Sequence, residues 1–125
     1  MNKKGITGII SSFGCAFMGL LVLVKEERNA LIQLALLILA VVLGIVLKIS
    51  KEDWLAVIIV SGFVVTSECF NTAIENLSDI VTREHDGRIK KVKDIAAGGV
   101  LIAAIAAAIT GLLVFVPELT DVFRS

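Results

Sequence analysis

Ile95 to Val116 is a run of 22 residues without a charge, and Ala30 to Leu47 is a run of 18 whose only polar member is Gln33. A helix rises about 1.5 Å per residue, so each run crosses or nearly crosses the roughly 30 Å hydrocarbon core of a bilayer. With 57% of its 125 residues hydrophobic, the chain has too few polar groups to cover a water-soluble globule of this size. The solvent for most of it is therefore lipid. Backbone groups in lipid must be satisfied within the segment, so the runs read as helices.

A third span is less obvious. Trp54 to Ser67 is uncharged for 14 residues, which is too short alone. Continuing the helix through Glu68 and Glu75 to about Val81 gives ample length, at the cost of two acids within it. A polar turn, Lys48 to Asp53, precedes this span, and a charged segment, Arg83 to Asp94, follows it. The segment from Ile6 to Val24 sets Ile6, Ile9, Ile10, Phe13, Phe17, Leu20, Leu21 and Val24 at helical spacing. Its other face holds Gly8, Ser11, Ser12 and Cys15 without charge, which favours a helix lying in the membrane interface over a fourth crossing. The expected fold is a single all-α integral membrane domain over residues 1–125. It has an interfacial amphipathic helix at 6–24 and three transmembrane helices at 30–47, 54–81 and 95–116.

The twelve basic and twelve acidic residues balance, which removes the global basic field that gathers nucleic acid. Their location is more informative. With three crossings, Lys3, Lys4, Lys25, Arg28, Arg83, Arg88, Lys90, Lys91 and Lys93 fall on one side, against Lys48, Lys51 and Arg124 on the other. Short loops rich in Lys and Arg stay in the cytoplasm, so the N-terminus and the loop at 82–94 are expected there. Trp54 reads as an interfacial anchor. Cys15 and Cys69 match neither a disulfide framework nor a metal spacing and read as small apolar residues. No secretory leader is expected, because no soluble stretch follows the first apolar segment.

Within Ser67 to Asp79, the residues Glu68, Asn71, Thr72, Glu75 and Asp79 recur at steps of three or four and line one helix face. A carboxylate in a transmembrane helix costs about 2.5 to 3.5 kcal/mol on insertion scales, so three on one face call for a compensating partner. A divalent cation or a basic cluster would serve. Hard oxygen ligands suit magnesium better than zinc or iron, and magnesium in turn suggests phosphate. Lys25-Glu-Glu-Arg28 offers further carboxylates on the same side, or else a solvated turn. The segment 83–94 offers cations for polyphosphate, with Gly87 allowing the turn, although Lys90 and Lys91 serve equally well as contacts to anionic lipid. Asp79 at the helix end and the lone His85 each have an ordinary surface reading. No Walker or kinase-type glycine loop is present, which excludes the soluble nucleotide folds.

At Glu68-Cys-Phe-Asn-Thr-Ala-Ile-Glu75, followed by Asp79 and by Lys93-Asp94, the chain resembles the prokaryotic diacylglycerol kinase family, which includes the undecaprenol kinases. The likeness extends over nearly the whole chain. It implies a membrane lipid kinase that moves the γ-phosphate of ATP to a lipid hydroxyl with Mg2+, in a bacterial cell (inner) membrane, as a homotrimer with shared sites. By that resemblance Glu68 is the catalytic base and Glu27 and Glu75 are metal-binding. Glu75, Glu84, His85, Asp86, Lys93 and Asp94 are ATP-binding, with Asn71 and Asp79 in support. Glu-Glu-Arg-Asn before the first long span looks more like the branch that takes undecaprenol than the one that takes diacylglycerol. Gly8 stands where the family often has an arginine, and Ala16 where a small hydroxyl residue sometimes occurs. The alternative is a small oligomeric transporter or proton-coupled channel lined by the buried acids.

Overall fold

In the computed structural model, which describes residues 3–125, four helices follow one another: α1 (Lys3–Glu26), α2 (Arg28–Leu47), α3 (Lys51–Val81) and α4 (Gly87–Arg124). The chain is all-α, and each of the four helices is long and apolar enough to cross a membrane. The side chains of Lys3 and Lys4, which enter the charge balance above, lie outside the described part. α3 and α4 pack together most extensively, with α2 against both and α1 touching α2 and α3.

The apolar stripe of α1 finds no cover within the chain. Ile10, Phe13 and Phe17 are each about two-thirds exposed, while Leu23 near its end is buried. α1 stops because Glu27 adopts an extended backbone, φ −109° and ψ 113°, and there becomes the N-cap of α2. α2 ends when Lys48 enters the left-handed region at φ 53°. The Lys48 N–H then reaches the Ile45 carbonyl at 3.3 Å, and the Ile49 N–H reaches Gly44 at 3.2 Å. This satisfies two of the carbonyls that a helix end leaves free. α3 starts two residues later with Ser50 as its cap. The Ser50 Oγ accepts from the Asp53 N–H at 3.1 Å and donates to Asp53 Oδ2 at 2.7 Å.

This turn closes one end of the bundle. Ile49, Val57 and Val114 form a buried cluster there, with Trp54 and Phe115 packed on it. The Trp54 ring lies on Gly44 so closely that a Cβ at that position would meet Cζ2 and Cη2 at 2.8 Å. Trp54 is thus a packing residue as well as an anchor.

Two expectations, one at each end of α4, need correction. The loop expected at 82–94 is non-helical only at 82–86; α4 begins at Gly87, so Arg88, Lys90, Lys91, Lys93 and Asp94 ride on its first turns. Asp86 makes that early start possible, because its Oδ1 accepts from the Arg88 N–H at 2.8 Å. Gly87 needs no special conformation, since no glycine among the described residues has positive φ. The apolar run of α4 ends at Pro117, but the helix continues through it to Arg124. Proline leaves one carbonyl on the preceding turn without its donor and does not forbid the turns that follow.

Candidate active site

The face of α3 that carries its polar residues turns inward. Glu68 is 1% exposed and is the one large side chain fully buried among the described residues. Asn71 and Thr72 are buried one turn further along the same helix and Ser78 nearer its end, and Glu75 is half-buried. A charged group so placed needs a partner, and Glu68 finds one on α2, where the Gln33 Nε2 donates to Glu68 Oε2 at 3.0 Å. The Asn71 Nδ2 approaches Glu75 Oε1 at a weak 3.4 Å. That leaves the Asn71 Oδ1 and the Thr72 Oγ1 buried without hydrogen-bond partners.

Glu27 enters this neighbourhood from the α1–α2 break. Its side chain makes no capping bond to α2, so the carboxylate is not engaged at the helix end. Partial burial holds its pKa above the usual carboxylate value, and the charges of Glu75, Glu68 and Glu26 push it further the same way. Glu27 therefore senses Glu68 and Glu75 although they lie at the far end of a stretch of almost fifty residues.

One helical turn beyond, the end of α3, the 82–86 connection and the start of α4 surround a polar cavity of about 380 Å³. Its walls include Asp79, Glu84, His85, Asp86, Lys93 and Asp94, all picked out from the sequence, and also Thr82, Arg83, Ile89 and Lys90. Most of its charges are already paired. The Lys93 Nζ donates to Asp79 Oδ1 at 2.8 Å, which holds the Lys93 ammonium above its ordinary pKa. Lys90 bonds Asp94, and the Arg88 guanidinium clasps Asp86, whose carboxyl is held below its usual value by that hydrogen bond. Arg83 has no ion-pair partner among the described residues, so it is the free cation on the cavity wall.

The structure thus gathers Glu68, Asn71 and Glu75 with Glu27 nearby, and separately gathers Asp79, Glu84, His85, Asp86, Lys93 and Asp94 around one cavity. Gln33, Thr72 and Arg83 join these groups; Arg83 belongs to the segment read from the sequence as a source of cations for polyphosphate, whereas the pattern of the chain alone assigns Gln33 no role. Among the described residues no three acidic, histidine or cysteine side chains converge to enclose a metal ion. The oxygen donors of Glu27, Glu75 and Asn71 nonetheless suit a hard cation such as magnesium, which needs only one or two carboxylates when phosphate and water complete its shell.

Four long apolar helices with an acidic cluster buried toward one end define a multi-pass membrane protein. Residues 14–115 match the model of the family described as prokaryotic diacylglycerol kinase. The chain is 30% identical over 118 residues to the undecaprenol kinase of Bacillus subtilis, a match covering 94% of this chain and 96% of that one. It is also 30% identical over 112 residues to a diacylglycerol kinase of Synechocystis, covering 89% of this chain and 64% of that relative. The chain belongs to the prokaryotic diacylglycerol kinase family.

Proposed function

We propose that the protein is a lipid kinase that transfers the γ-phosphate of ATP to the primary hydroxyl of a membrane lipid alcohol, with undecaprenol the favoured acceptor and diacylglycerol the alternative. The observation that carries this reading is Glu68: a carboxylate 1% exposed within a long apolar helix, on the polar face that runs on through Asn71 and Glu75 to Asp79 at the wall of the charged cavity. Such a group is costly in a membrane and is retained where chemistry needs it. Undecaprenol is preferred because the relative matched along almost its full length is an undecaprenol kinase.

Glu68 takes the proton of the lipid hydroxyl as that oxygen attacks the γ-phosphorus. The new O–P bond forms as the bond to the β,γ-bridging oxygen breaks, and ADP leaves. Glu27 and Glu75 hold Mg2+, which supplies neutralisation of phosphate charge when bound. Asn71 orients the groups between them. Lys93 and Arg83 meet the polyphosphate, Lys93 exchanging its bond to Asp79 for one to phosphate. Glu84, His85, Asp86 and Asp94 flank the nucleotide. This division asks the protein mainly for placement and electrostatics, as phosphoryl transfer requires.

α1 lies in the membrane interface in this reading, and three helices cross. The basic residues support it: three crossings divide them nine against three, whereas a fourth crossing by α1 would divide them seven against five. The N-terminus and the 82–86 connection then face the cytoplasm, where ATP is found, in a bacterial cell membrane. The uncovered faces of the helices suit assembly as a trimer with sites shared between neighbours. The transporter alternative is disfavoured by the groove between α2, α3 and α4, whose walls are apolar except for Gln33, Ser61 and Thr110 and offer no polar path.

The test is transfer of labelled γ-phosphate from Mg-ATP by the purified protein in mixed micelles, with undecaprenol and diacylglycerol offered separately. Labelled lipid that disappears with Glu68→Gln is the expected result. Silence of the wild type on both lipids would sink the kinase reading.

A further inference from the structure

Gln33 is the one side chain in the apolar run of α2 able to form strong hydrogen bonds. An amide in a transmembrane helix is favourable only where it finds a partner. Its Nε2 donates to Glu68 Oε2 at 3.0 Å, joining α2 to the most deeply buried acid of the protein. The same residue lines the apolar groove of about 440 Å³ between α2, α3 and α4, so the bond lies where that groove reaches the polar site.

The two oxygens of Glu68 are thereby made different. Oε2 is held by Gln33, while Oε1 accepts no hydrogen bond among the described residues. The terminal torsion of a glutamate is broad and roughly two-fold, so an untethered carboxylate would swing between orientations. Tied at one oxygen, it presents the other in a fixed direction. A base that must meet one hydroxyl at hydrogen-bond distance gains rate from such fixing.

We propose that Gln33 is a positioning residue for phosphoryl transfer: its amide holds Glu68 through Oε2 so that Oε1 receives the hydroxyl proton. This inference rests on the lipid-kinase reading with Glu68 as base. Gln33 acts through Glu68 and stands apart from the walls of the polar cavity at 79–94, so its loss slows turnover and leaves ATP binding intact.

The full-length protein is assayed in mixed micelles with Mg-ATP and whichever lipid the wild type labels. Gln33→Met keeps the length of the side chain without the donor, and kcat is expected to fall roughly 10- to 100-fold, the worth of a hydrogen bond to a charged group. KM for ATP stays within about twofold, because substrate binding and turnover separate when only the base is misplaced. Gln33→His, which keeps a ring N–H donor, should restore much of the lost kcat. Gln33→Asn keeps the amide but withdraws it by one methylene, so it should lose turnover like Gln33→Met even if the latter folds poorly. Wild-type kcat in Gln33→Asn or Gln33→Met would overturn the inference. So would a rise in KM for ATP that matches the fall in kcat, or a histidine variant no better than methionine. A wild type that labels neither lipid overturns the kinase reading itself.

Discussion

The two ends of the helix bundle are built on opposite principles. At the end closed by the α2–α3 turn, the contacts are apolar and the polar groups are consumed: Trp54 packs on Gly44, Ile49 and Val114 are buried, and Ser50 caps α3. At the other end the buried groups are polar and some are left unsatisfied, with Glu68 held by one bond and the Asn71 Oδ1 and Thr72 Oγ1 held by none. Buried polar atoms without partners cost about 1–3 kcal/mol each. The first end therefore supplies stability, and the second gives up part of it to keep groups ready for a ligand.

Exchanging a feature at each end should separate the two. The largest effect expected is that of Glu68→Gln, which keeps the shape and removes the base. Lipid phosphorylation should fall by about 10²- to 10⁴-fold, while thermal stability in detergent holds or rises because a buried charge has been removed. A large fall in melting temperature would show that Glu68 belongs to the scaffold. The converse is Gly44→Val, which drives a branched side chain into the Trp54 ring. It should destabilise the fold by about 1–3 kcal/mol through overpacking and leave kcat of the folded fraction unchanged. Lost turnover in a fully folded Gly44→Val protein would break the division between the ends.

Much of this contrast is legible in the order of the amino acids. Steps of three and four put Glu68, Asn71, Glu75 and Asp79 on one face, because a helix in lipid has no other way to satisfy its backbone. The uncharged runs mark α2 and α4 equally well. What periodicity cannot supply is the partner across space. Gln33 stands out as the lone polar residue of its run, but its partner is 35 residues away on another helix. The Gly44 to Trp54 contact depends on Lys48 adopting a left-handed conformation, which a lysine does not advertise. The charge-rich segment after α3 reads as loop because its composition is that of a loop; the Asp86 cap makes most of it helix. Lys25-Glu-Glu-Arg28 is legible as carboxylates on the same side as the stripe, but that Glu27 in particular comes near Glu75 depends on the packing of α1 and α2 on α3.

Glu27 gives the comparison a pH dependence. Partial burial, then Glu75 and Glu68, hold its carboxyl above the usual carboxylate value. A raised acid takes up its proton earlier as pH falls, so protons compete with a divalent cation over a range where an ordinary glutamate would not. Apparent Mg2+ affinity should weaken as pH drops through the raised pKa, by up to about tenfold per unit for one displaced proton, and Glu27→Gln should weaken binding and flatten that dependence. Stability without metal runs the other way. The folded state binds this proton more tightly than the unfolded one, so the metal-free protein gains stability as pH falls through the folded pKa and loses it as pH rises. Calorimetric titration with Mg2+ at several pH values checks the first, and melting in EDTA checks the second. Affinity unchanged with pH would separate Glu27 from the metal.

The smallest effect expected belongs to Arg83, and it tests how the polar end chooses among its cations. Lys93, Lys90 and Arg88 each have a carboxylate partner, so for them a phosphate gained is an ion pair lost. Arg83 gives up nothing but water. It is also exposed, so its contribution is that of a surface charge, about 0.2–1 kcal/mol. Arg83→Gln should raise KM for ATP by roughly two- to fivefold at low salt with kcat unchanged, and the difference should shrink as ionic strength rises. Equal KM values at low salt would leave the contact to the nucleotide with the paired cations alone. Lys93 would then carry that contact, because it is the one of the three that is half-buried, and its bond to Asp79 would be the main contact that ATP exchanges.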